Sequence, residues 1–186
     1  MKRRTFFLLL VVVVVGAIGV TVFVFVDKRG NSDRPRELAM TEVPPCELIS
    51  KTDLKRLNVI ARPDPGFDLE YGEEGTGCRF LPVYPEPTIE LNEITNYGID
   101  RWTDDDVGGG TYFEDVARIR GFRVIKVWTP GQKDNHDSSC RLYVDVADDQ
   151  SLKVSIFDAD RRASSPPVCE VTYQAAEAAM RTLTSR

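Results

Sequence analysis

From Phe6 to Val26 the chain runs for 21 residues without a charge, FFLLLVVVVVGAIGVTVFVFV. As a helix this run would measure about 31 Å, enough to cross the hydrocarbon core of a bilayer. A cleaved signal peptide has a shorter apolar stretch followed by a small-x-small site. Here Asp27-Lys28-Arg29 follows the run, while Gly16, Ala17 and Gly19 lie inside it. No Cys stands directly after it to take a lipid. The pattern predicts an uncleaved signal anchor, a single transmembrane helix over residues 5–26 behind a cytoplasmic tip at 1–4. Gly16 and Gly19 are three apart, not the four that favour helix dimerisation, so the segment reads as a tether.

Residues 27–45, DKRGNSDRPRELAMTEVPP, are polar and proline-punctuated with almost no apolar period, which predicts a flexible stalk. A domain over 46–186 follows. Ser50-Lys51-Thr52-Asp53 resembles a capping box, and Leu54, Leu57 and Ile60 continue at helical spacing, so a short helix is expected near 47–58. The Pro- and Gly-rich stretch 61–77 is expected to be a loop. Strand-like sequence begins at Cys78-Arg79-Phe80-Leu81, and Thr88–Ile94 is a second candidate strand.

Period-2 alternation is clearer further on. Phe122, Val124, Lys126 and Trp128 alternate with Arg123, Ile125 and Val127; Cys140, Leu142, Val144 and Val146 alternate with Arg141, Tyr143 and Asp145. Leu152, Val154 and Ile156 repeat the pattern after Ala147-Asp148-Asp149-Gln150, which reads as a hairpin connection. After Pro166-Pro167 the period changes. Cys169, Tyr173, Ala176, Met180 and Leu183 form one stripe of an amphipathic helix. Helix, antiparallel strands and helix predict an α+β domain, with one face of the sheet packed by the N-terminal and C-terminal helices.

Charge and cysteines narrow the function classes. Setting aside Lys2, Arg3 and Arg4, 21 basic residues face 29 acidic ones, a net charge of −8 that argues against nucleic acid as a partner. The flanking basic residues do not orient the anchor, since Lys28, Arg29, Arg34 and Arg36 balance the N-terminal cluster. A long C-terminal domain can translocate largely regardless of charge. Cys46, Cys78, Cys140 and Cys169 all lie beyond the apolar run, with no C-x-x-C pair, and suggest two disulfides in an oxidising compartment. The domain is therefore placed outside the cell. Four cysteines allow three pairings; Cys46–Cys78 and Cys140–Cys169 are favoured because each fastens a helix to a neighbouring strand.

Catalytic chemistry finds little footing. His136 is the sole histidine and sits in a polar loop. The acids Asp64, Asp68, Glu70, Glu73 and Glu74 share one loop and read as solvating charge. Asp104-Asp105-Asp106 ahead of Gly108-Gly109-Gly110 lacks the alternating spacing of a calcium loop. No catalytic residue, cofactor or metal is assigned. Aromatic residues Tyr97, Trp102, Tyr112 and Phe113 flank the Asp run, and Trp102, Asp104, Asp106 and Tyr112 are the candidate ligand-binding set.

The segments Pro45-Cys46-Glu47-Leu48-Ile49-Ser50 with Asp53-Leu54, then Gly77-Cys78-Arg79-Phe80, then Cys140 on a strand and Cys169 opening an Ala-rich helix, carry a resemblance. Across residues 44–185 the chain resembles a large actinobacterial family of secreted lipoproteins and membrane-anchored proteins classed as a domain of unknown function. Members often carry Trp where Phe80 stands, and many are lipoproteins. The resemblance implies location and architecture, with no catalytic residues to carry over. The resulting expectation is a non-enzymatic module of the cell membrane, held by one N-terminal helix and binding an envelope ligand or partner. An envelope hydrolase acting on glycan or peptide, and a structural accessory subunit, are the alternatives.

Overall fold

The computed structural model describes residues 34–59, 61–66, 69, 72–82, 87–103, 111–129, 138–157 and 167–186. The apolar run and its flanks lie outside the described residues. Among the described residues no helix is long and apolar enough to cross a membrane.

Among the described residues seven strands form one sheet: β1 Ala61–Pro65, β2 Gly75–Pro82, β3 Thr88–Ile94, β4 Tyr112–Ile119, β5 Phe122–Trp128, β6 Ser139–Ala147 and β7 Gln150–Phe157. Their order is β1-β2-β3-β7-β6-β5-β4 and every neighbouring pair is antiparallel. After β3 the chain moves to the far edge and winds back strand by strand, so that β7 closes the sheet against β3. Two helices accompany the sheet on its flanks, α1 Lys51–Arg56 and α3 Val168–Thr184, and a single turn, α2 Asp100–Thr103, precedes β4.

The local chemistry of the elements is plain in several places. Ser50 caps α1, its hydroxyl oxygen accepting the Asp53 N–H at 3.0 Å. Asn58 ends it at φ +57°, with the Asn58 N–H donating to Lys55 O and the Val59 N–H to Leu54 O, the paired bonds of a Schellman stop. Arg120 and Gly121, both at positive φ, make the two-residue β4–β5 turn. Gly121 has a second reason to be glycine: a Cβ there would come within 2.7 Å of Pro35 Cγ.

Alternation along the strands produces two unlike faces. Cys78, Phe80, Ile89, Leu91, Phe122, Val124, Leu142, Val144, Leu152, Val154 and Ile156 are buried on one, beneath α3. The helix contributes Val168, Val171, Ala175, Ala179, Met180 and Leu183. Of the expected stripe, Ala176, Met180 and Leu183 are buried, while Cys169 and Tyr173 are only partly covered. The disulfides are Cys46–Cys78 and Cys140–Cys169, tying the chain before α1 to β2 and α3 to β6.

Four expectations are corrected. The N-terminal helix is shorter than 47–58, and none of its own residues is buried; a 3-10 turn at Pro45–Glu47 followed by Leu48 and Ile49 does the covering. Stretch 61–77 holds β1 and the start of β2. Pro63 and Pro65 are tolerated because β1 is an edge strand that needs few N–H donors. Strand β4 was not anticipated, since Tyr-Phe-Glu-Asp-Val-Ala-Arg-Ile does not alternate and its first four residues are exposed.

The fourth correction is the stalk. Residues 34–43 form a strap packed on the domain, so the domain begins before residue 46. Leu38, Met40 and Val43 are buried, the Leu38 N–H donates to Val146 O at 3.0 Å, and the Met40 N–H donates to Gln150 Oε1 at 3.3 Å. Arg34 pairs with Asp145 and Asp148 at the end of the β6–β7 hairpin. Irregular spacing of three apolar residues gives no period to read. Each nonetheless fills a gap at the sheet end.

Candidate functional site

The predicted set divides between the two faces of the sheet. Trp102 is buried in the smaller apolar cluster, with Ile94, Ile99, Ile125, Val127 and Tyr143, on the face away from α3. Its ring lies 4.5 Å from that of Tyr143. Tyr112 sits at the start of edge strand β4, opposite Trp128, whose position in β5 is in phase with Val124 and therefore with the α3 face. The two aromatics thus belong to separate environments. Asp104 and Asp106 lie outside the described residues, as do Asp68, Glu70 and His136.

On the Trp102 side a polar cluster is buried beside the apolar one. The register sets Asn92 of β3 next to Lys153 of β7 and Lys153 next to Tyr143 of β6, three side chains in one row. Glu73 reaches into this row from the segment preceding β2. Its Oε2 accepts from Lys153 Nζ at 3.0 Å and its Oε1 from the Tyr143 hydroxyl at 3.2 Å. The Lys153 and Glu73 side chains are 1% and 0% exposed. Asn92 is buried as deeply, and its Oδ1 has no hydrogen-bond partner among the described residues.

Such a pair costs desolvation on both sides and is held by mutual attraction and the tyrosine bond. It pins the Glu73 segment onto the sheet. Glu73 was read as solvating charge, and that reading is overturned. Asp64 and Glu74 do remain exposed. A lysine between Leu152 and Val154 on a strongly apolar strand was the available signal for half of this cluster. Its partner lies 80 residues away and has no local signal.

On the Tyr112 side an aromatic platform faces solvent. Tyr112 is 54% exposed and its ring stacks on Trp128 with centroids 6.2 Å apart and planes 21° from parallel. Lys126 Nζ stands 5.5 Å from the Trp128 ring centroid and pairs with Glu114 at 3.1 Å. Trp128 Nε1 and Thr111 Oγ1 are buried atoms without a partner among the described residues. Phe113, 37% exposed, points to the opposite face of the same strand. Flat aromatic area with a cation and a carboxylate beside it can hold an apolar or ring-shaped ligand while the charged groups fix its orientation.

Three carboxylates titrate away from their ordinary range. Burial pushes Glu93 up to about 7, opposed by the Thr76 hydroxyl that donates to its Oε2 at 3.2 Å. Burial likewise raises Asp145, against the pull of Arg34. Asp115, by contrast, is lowered by its hydrogen bonds from Arg123. Among the described residues no three His, Cys, Asp or Glu side chains gather in a way that could hold a metal ion.

The fold defines a disulfide-stapled α+β domain with a single antiparallel sheet. A family model described as a protein of unknown function (DUF3558) matches residues 26–182, and the chain belongs to that family. No curated protein and no solved structure matches the chain.

Proposed function

We propose that the chain is a membrane-tethered, extracytoplasmic module that binds an envelope ligand or partner without transforming it. The observation that carries this reading is the Tyr112–Trp128 platform, an exposed tyrosine stacked on a half-buried tryptophan and flanked by Lys126 and Glu114 at the edge of the sheet. Support for the location comes from the apolar segment Phe6–Val26 and from two disulfides that use all four cysteines, a pattern suited to an oxidising compartment. The resemblance to actinobacterial secreted and membrane-anchored proteins points the same way.

The test uses the full chain in detergent, with Trp102→Phe so that Trp128 is the sole indole. Soluble peptidoglycan fragments and short envelope peptides are titrated while Trp128 fluorescence is followed. A saturable change that Tyr112→Ala weakens at least tenfold supports the platform as the binding surface. Saturable binding that Tyr112→Ala leaves untouched overturns it, and cleavage of a probe by the wild-type chain overturns the non-enzymatic reading. A non-reducing peptide map, with thiols blocked before lysis, tests the location separately. Free thiols in membrane-expressed chain would put the domain in the cytoplasm.

A further inference from the structure

Glu93 is the one acidic residue of β3 that alternates onto the apolar face, in phase with Ile89 and Leu91. It is 2% exposed, and while Oε2 takes the Thr76 hydroxyl, Oε1 has no partner among the described residues. A carboxylate in that setting is far costlier to keep ionised than neutral.

The strap packs on the same strand, its Leu38, Met40 and Val43 in one cluster with Ile89 and Leu91. The register places Glu93 opposite Leu152 of β7, two residues from Gln150, whose side chain receives the Met40 N–H. The 3-10 turn Met40–Glu42 packs on β3, and Gln150 fixes it at the Glu93 end. The elements packed most closely on β3 are β2, β7 and the two 3-10 turns. Basic residues of the two neighbouring strands, Arg79 and Lys153, alternate onto the opposite face. The turns bring only Glu42 and Glu47, both exposed acids. Nothing in these elements offers the ionised form a counter-charge.

We propose that Glu93 makes docking of the strap, residues 34–43, pH-dependent: the strap is held while the carboxyl is neutral and released as it ionises. Lifting the strap lets water reach the carboxylate, so ionisation and undocking favour each other. Asp145, paired with Arg34 at the other end of the strap, is also raised, by burial against the pull of Arg34, so its ionisation acts in the same direction and the two carboxyls must be separated by substitution. Alkaline loosening that Glu93→Gln removes reports Glu93, and loosening that persists in it reports Asp145. Under the tether reading above, an undocked strap adds ten residues of chain between the sheet and the apolar segment. The pH test itself does not depend on that reading.

The experiment is hydrogen exchange by mass spectrometry on the full chain at pH 5.5 and 8.5, corrected for the intrinsic exchange rate. The readouts are the Leu38 and Met40 amides, with β6 and β7 amides as the internal standard. Protection of the strap should fall several-fold, and by about 30-fold if undocking fully rehydrates a carboxyl that moves from about 7 back to 4.5. Glu93→Gln, which stays neutral, should abolish the fall. Thr76→Val, which removes the hydroxyl favouring the ionised form, should move the midpoint to higher pH. Strap protection that does not change with pH, that falls equally in Glu93→Gln, or that equals β6 and β7 protection at both pH values, so that the strap opens only with the whole domain, would overturn the proposal. Should neither variant fold, the wild-type comparison of strap with sheet amides decides it.

Discussion

On the face that carries Leu91, Val154 and Val144, α3 and the strap close over an almost unbroken apolar surface. On the other, Lys153, Glu73, Tyr143 and Asn92 are buried just as deeply, with only the small cluster around Trp102 beside them. The first face is held by non-directional burial, about 25 cal/mol per Å² of apolar area, and tolerates some repacking. Bonds of defined geometry hold the second: 3.0 Å from Lys153 to Glu73 and 3.2 Å from Tyr143 to Glu73. Equal burial therefore does not mean equal tolerance. A volume-conserving change on the first face should be mild, whereas losing one partner on the second strands a charge.

The sharpest way to break that contrast is to remove half of the ion pair. Lys153→Ala should cost about 3–5 kcal/mol in chemical denaturation, because Glu73 is left buried and unpaired. Replacing both partners, Lys153→Met with Glu73→Leu, should recover to within about 1 kcal/mol of wild type. A single-variant loss under 1 kcal/mol would show that the Glu73 segment lifts off the sheet in solution.

Next in size are the disulfides. Replacing Cys46 and Cys78 together by Ala should cost about 3–4 kcal/mol on the chain-entropy estimate for a separation of 32 residues. Both bridges attach to the apolar face, so a larger effect from Cys140 and Cys169 would mark α3 as its more important cover.

Acidity tests the buried carboxyl placed on the apolar face. Glu93 lies above its unfolded value, so its neutral form is fully compatible with the fold below about 4.5. Stability should then decline as pH rises from about 4.5 through about 7, and level off above. Urea midpoints at several pH values should show that decline in the wild type and lose it in Glu93→Gln. The smallest effect belongs to the exposed rim. Arg123→Ala breaks a 2.6 Å pair with exposed Asp115 and should cost under about 1 kcal/mol, less in high salt.

Residues whose environment follows from neighbours in sequence were readable. The alternation in β6 and β7, the Asp148-Asp149 turn, the Ser50 cap and the C-terminal helix all stand where periodicity and capping chemistry put them. Cysteine spacing and strand assignment together led to the pairing. The candidate site was less readable. Trp102 and Tyr112 are near in sequence, yet α2 and the entry into β4 deliver them to opposite faces of the sheet. Trp128, the ring that Tyr112 stacks on, was visible as part of a strand and not as part of a site.

By itself the sequence determined the strands that alternate, the Ser50 cap, the C-terminal helix and the pairing of the cysteines, because each depends on a short period or a local preference. Tertiary structure alone decided that β7 pairs with β3, that Glu73 meets Lys153, and that residues 34–43 are part of the domain and not a stalk. The physical reason is the same in all three. Each contact joins residues separated by roughly 60 to 110 positions and depends on burial and pairing between surfaces that no local pattern identifies as partners.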